Sequence, residues 1–130
     1  MRHAGFFLIA STVAFVTLNV GANAENLGAA AIKHLVTGKT VYLATPLGGE
    51  MPLNYRASGK IDADGGGVGL GKFFKPRDSG RWWVTGDQLC QKWQTWYDGK
   101  TQCFTLESAG GMKLRWKQDN GDAGTARIGG

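Results

Sequence analysis

The sequence predicts a mainly β domain: a small antiparallel meander that closes into a barrel or a sandwich, preceded by one short helix. Three observations carry this. Turn signals ("PLGGE", "ASGK", "DADGGG", "KPRDSG", "TGD", "YDGK", "SAGG", "DNGD") recur at intervals of about 8 to 12 residues, the rhythm of short paired strands. The runs between them alternate apolar with polar side chains or are rich in β-branched and aromatic residues. Glycine, 21 of 130 residues, is spread through the turns without Gly/Ser tracts, so it marks chain reversals and not a linker.

The chain opens with Arg2 and His3, an apolar run from Gly5 to Val16, and a small-residue site at Ala22-Asn23-Ala24. That order predicts a signal peptide over residues 1–24. The run falls short of the roughly 20 apolar residues a membrane span needs. Residues 25–130 are then expected as a single small domain, periplasmic or secreted, with no transmembrane segment. Asn26 is positioned to cap a helix in which Leu27, Ala31, Ile32, Leu35 and Val36 share a face, with Gly38 as the stop. Strands are expected over Thr40–Thr45, Leu53–Ser58, Val68–Phe74, Arg81–Thr85, Gln88–Trp93, Thr101–Glu107, Met112–Lys117 and Gly124–Ile128.

Lys and Arg number 15 against 10 acids. Scattered as they are, these charges suit a solvated surface that meets anionic envelope polymers. They lack the dense stripe of a nucleic-acid binder, so no nucleic-acid partner is expected.

Several motifs fail on chemistry. "GGVGLGK" (Gly66–Lys72) has phosphate-loop spacing, but Phe73 stands where a magnesium-binding hydroxyl is required. "DADGGG" (Asp62–Gly67) begins like a calcium loop, yet Gly66 and Phe73 occupy later ligand positions; Asp62 and Asp64 are read as bonding to their own turn. His34 is the sole imidazole beyond residue 24, too few for a histidine metal site or an ordinary Ser-His-Asp triad. The remaining acids sit mostly in turns. No catalytic residue, metal or cofactor is assigned, and the chain is read as a non-enzyme.

Residues 80–104, "GRWWVTGDQLCQKWQTWYDGKTQCF", hold four of the five tryptophans and both cysteines. Export and the cysteine count predict a Cys90–Cys103 disulfide. Alternation places Trp82 and Val84 on one face and Arg81, Trp83 and Thr85 on the other, and sets Leu89, Gln91 and Trp93 against Cys90 and Lys92. A tight Asp98-Gly99 hairpin would pair positions summing to 197 and separate the cysteines by roughly 13 Å, beyond disulfide reach. The disulfide requires a sum near 193, which opens "WQTWYDGK" into a wider loop carrying Trp96 and Tyr97. Those rings either form a contact surface or fold back over an open barrel end. The candidate ligand-binding set is the aromatic–basic patch Arg81, Trp83, Lys92, Trp93, Trp96, Tyr97 and Lys100.

The segments "LVTGKTVY", "YRASGK", "SGRWWVTGDQLCQKW" and "CFTL", following an initial helix, resemble a family of small exported proteobacterial proteins, most specifically in the tryptophan–cysteine core. The resemblance implies an exported β-domain and no particular reaction. Together these readings point to a non-catalytic binding module for an envelope glycan, lipid or small amphiphile. The alternative is a protein-partner or enzyme-inhibitor module of the envelope.

Overall fold

The structure is a computed structural model that describes residues 25–65 and 75–129. One helix, α1 (Ala29–Val36), precedes eight strands: β1 (Lys39–Ala44), β2 (Glu50–Tyr55), β3 (Lys60–Asp64), β4 (Arg77–Thr85), β5 (Gln88–Trp93), β6 (Thr101–Ser108), β7 (Lys113–Gln118) and β8 (Ala123–Ile128). Each strand pairs antiparallel with its sequence neighbour, and β1 pairs with β8, so the meander closes into a barrel. Closure leaves no free sheet edge, the liability of an open meander.

The period-two pattern decides what lies inside. Val41, Leu53, Tyr55, Ile61, Trp82, Leu89, Trp93, Leu106, Leu114, Ala126 and Ile128 form the buried core. Between them Arg81, Lys92, Lys113, Arg115 and Lys117 are exposed on the outer wall. A lipid-facing barrel needs an apolar outer band; this barrel has charge outside and apolar side chains within. No helix among the described residues is long and apolar enough to cross a membrane.

α1 stoppers one end. Ile32 and Val36 are fully buried, and Tyr55, Ile61 and Trp82 belong to the same core cluster. Asn26 is not the cap that the sequence predicts. Gly28 occupies the N-cap without a side-chain bond, and Asp87, from the β4–β5 turn, accepts the Ala29 N–H at 3.1 Å. A tertiary carboxylate thus does what a local side chain was expected to do, while Asn26 forms an isolated bridge to Glu107. Gly38, at φ 72°, turns the chain from the helix into β1 as expected.

Other expectations shift by a few residues. Lys60–Asp64, read as turn, is strand β3, and its acids meet arginines across the wall: Asp62 accepts from Arg56 and Asn54, and Asp64 from Arg77. The second strand starts at Glu50 and ends at Tyr55. The expected strand Val68–Phe74 and the "GGVGLGK" motif lie outside the described residues.

The disulfide register holds. Cys90 and Cys103 are direct cross-strand partners, bonded, with Cα atoms 4.1 Å apart. The model of loop-closure entropy assigns such a staple about 3 kcal/mol. Residues 94–100 accordingly bulge between β5 and β6 as a wide loop containing a 3-10 turn, Trp96–Gly99.

Candidate functional site

The end of the barrel opposite α1 is built differently. Here the β1–β2 turn, the β5–β6 loop and the β7–β8 turn ring a cavity of about 130 Å³ that descends into the lumen. Its wall includes Leu43, Met51, Leu53, Phe104, Leu114 and Ala126, and its floor reaches Val36 of α1. Tyr97 and Asp122 stand at the rim, and Tyr97 is 58% exposed. Leu47, exposed on the β1–β2 turn, lies at the same end.

Three devices hold this mouth. Asp78, buried at the start of β4, accepts the backbone N–H groups of Thr95 and Trp96, each at 2.8 Å, and so anchors the loop. Burial alone would push the Asp78 carboxyl up, but the N–H groups of Trp96, Thr95 and Ser79, with Lys75 nearby, outweigh it and hold the group below the ordinary carboxylate range. Trp96 then folds back: its ring lies 4.8 Å from that of Trp93, and its indole N–H donates to the Lys75 carbonyl at 2.6 Å. Finally, Tyr97 and Asp98 adopt left-handed backbone angles, φ 54° and 55°. That conformation costs an L-residue about 1–2 kcal/mol, so an aromatic ring here stores strain at the rim.

Polar groups inside the lumen are few and unevenly satisfied. Tyr55 donates its hydroxyl to Gln91 Oε1 at 2.7 Å, and burial pushes the tyrosine's own ionisation far up, so it stays a neutral donor. Gln102 faces Gln91 directly across the β5–β6 ladder and is only 6% exposed, yet its Oε1 has no hydrogen-bond partner. The indole N–H groups of Trp93 and Trp116 are likewise buried without partners. Trp116 stacks edge-on to Phe104, 5.6 Å between centroids, and lies flat over Gly124, where any Cβ would strike its ring. All of these residues except Gly124 line the cavity.

The aromatic–basic patch expected from sequence is therefore divided by the barrel wall. Trp93, Trp96 and Tyr97 belong to the lumen and its rim; Trp93 is 2% exposed and faces inward. Arg81, Trp83 and Lys92 lie on the outer wall, along a groove of about 670 Å³ that also borders Lys60 and is touched by Trp93. Lys100 is exposed where the loop enters β6. Lys60, Arg81 and Lys92 are successive cross-strand neighbours, three cations in one row at a strand spacing of about 4.8 Å. Trp83, 38% exposed, sits two residues along β4, opposite Cys90.

Residues not singled out from sequence complete the lumen: Gln102, Trp116, Phe104, Leu43 and Met51. A signal existed for Gln102. A glutamine at an inward position of an otherwise apolar alternation is a polar group with no water to meet it. No family model, curated protein or solved structure matches the chain.

Proposed function

We propose that this chain is a non-catalytic binding module, working in the periplasm or after secretion, that takes a small amphiphile into the lumen of its barrel. The observation that carries the reading is the mainly apolar cavity of about 130 Å³ that opens at a strained aromatic rim. Protein interiors are close-packed, so a mainly apolar recess of this size, open at the barrel mouth beside a rim ring held in a strained conformation, suits a binding site better than a structural core. The size limits the occupant: a dry protein cavity of about 150 Å³ accepts one benzene ring.

The disulfide and the resemblance to exported proteins support an oxidising location. A second reading, a protein-partner or inhibitor module, is favoured by the outer row Lys60–Arg81–Lys92 beside Trp83. Titration calorimetry with toluene separates the two. The lumen reading expects a saturable 1:1 site that disappears in Ala126→Leu, whose added branch fills the cavity, and persists when Arg81 and Lys92 are both replaced by Ser. Absence of toluene binding to the native chain, or equal binding to Ala126→Leu, rejects it.

A further inference from the structure

We infer that the lumen selects an uncharged single-ring ligand bearing one hydroxyl-type group, and that Gln102 is the residue that reads this group. The inference rests on the lumen-binding reading and names the class of its ligand.

The cavity wall leaves polar atoms unpaired. A buried amide oxygen without a partner is costly, and native structures leave few of them. Gln102 Oε1 is one, on a side chain that lines the cavity and is 6% exposed. Its cross-strand neighbour Gln91 accepts from Tyr55 through Oε1, and the Gln91 amide N–H groups, the donors that could relieve Gln102, do not bond to its Oε1. A ligand that donates one hydrogen bond to Gln102 satisfies an atom the fold does not. Donors are present as well: the N–H groups of Trp93 and Trp116 are buried, unpaired and on the same lining. A hydroxyl is the smallest group that can both donate to an amide oxygen and accept from an indole.

Charge is disfavoured on the same wall. Among the described residues the lining carries no lysine or arginine, and its one carboxylate, Asp122, is at the exposed rim. An anion moved inside meets no counter-charge among the described lining residues, and two indole N–H donors do not replace the water it gives up. A cation would leave water for a cavity whose described wall is otherwise apolar, aromatic or amide. Burying an unpaired charge costs far more than burying a neutral hydroxyl that finds a partner. The rest of the ligand must be apolar and compact, because Phe104, Leu114 and Ala126 leave about 130 Å³.

The test is a matched series of one-ring probes, phenol, toluene, benzoate and benzylammonium, titrated against the native chain and against Gln102→Leu. Phenol and toluene are expected to bind the native chain, and benzoate and benzylammonium to bind at least ten-fold more weakly than phenol. In Gln102→Leu the affinity for phenol relative to toluene is expected to fall about five- to ten-fold, the loss of one buried hydrogen bond. Gln102→Met, unbranched and more adaptable, repeats the measurement if the leucine variant does not fold. An unchanged phenol-to-toluene ratio in a folded variant overturns the role of Gln102 while leaving the lumen reading intact. Benzoate or benzylammonium binding as tightly as phenol overturns the neutral selectivity. Binding of neither phenol nor toluene to the native chain removes the lumen reading itself, and this inference with it.

Discussion

The two ends of this barrel are made from the same eight strands and follow opposite rules. At the floor, α1 inserts Ile32 and Val36 among Tyr55, Ile61 and Trp82, and the polar atoms are paired: Trp82 gives its indole N–H to the Arg56 carbonyl at 2.8 Å, and Tyr55 gives its hydroxyl to Gln91. At the mouth, Asp78 Oδ1, Gln102 Oε1 and the Trp93 and Trp116 N–H groups are buried without partners, and Tyr97 sits in a left-handed conformation. The buried helix residues and the paired Trp82 and Tyr55 mark the floor as the part that pays for folding. Unpaired groups, strain and an open cavity mark the mouth as the part that folding was not optimised for. Conflicts of this kind concentrate where a protein does something other than fold.

Breaking the floor should have the largest effect. Ile32→Ala removes a fully buried side chain from the helix that closes the lumen. A loss of about 2–5 kcal/mol is expected, read as a lower denaturation midpoint in urea, with the slope unchanged.

Loosening the mouth should cost less and should depend on pH. Asp78→Ala leaves the Thr95 and Trp96 N–H groups without their acceptor, an expected loss of about 1–3 kcal/mol at neutral pH. Because the folded Asp78 carboxyl is held below its unfolded value, its stabilisation is complete above about pH 4 and is lost as pH falls through the folded value. Asp62, on the outer wall, shifts the same way, chiefly through its hydrogen bond to Arg56. In native-state hydrogen exchange, acidification is therefore expected to expose the Thr95 and Trp96 amides before those of β2 and β5 near the floor. Loss of protection at both ends together would show that the loop is not a separate unit.

The smallest change is expected at the rim. Tyr97→Gly suits the left-handed backbone and removes a ring that is 58% exposed. Stability should rise by about 1 kcal/mol, while bound toluene exchanges faster past the widened rim. A destabilised Tyr97→Gly chain would mean that the ring is a structural plug, not a strained rim.

How far the sequence speaks to this division can be followed residue by residue. Alternation alone separates Trp82 from Trp83 and places Gln91 with Leu89 and Trp93 on the inward face, because a strand's period of two survives any tertiary context. The cysteines decide the β5–β6 register against the tempting Asp98-Gly99 hairpin, since a covalent bond outweighs a turn preference. The aromatic–basic patch does not survive as one surface. Closeness along the chain puts Arg81 and Lys92 beside Trp93 and Trp96, but the wall sends the cations outward and these two indoles inward. The lumen is invisible to local reasoning for a plainer reason. Leu43, Met51, Phe104 and Trp116 come from four strands, and only the closing β1–β8 pair brings them around one space. The same non-locality lets Asp87 replace Asn26 at the helix cap, across 58 residues of chain.

The central claim, that the mouth binds and the floor supports, is tested most directly by following the five tryptophan indole N–H resonances while toluene is added. Shifts are expected at Trp93, Trp96 and Trp116, which line the lumen, with Trp82 at the floor and Trp83 on the outer wall unmoved. Shifts confined to Trp83, or no saturable shift at any of the five, would contradict it.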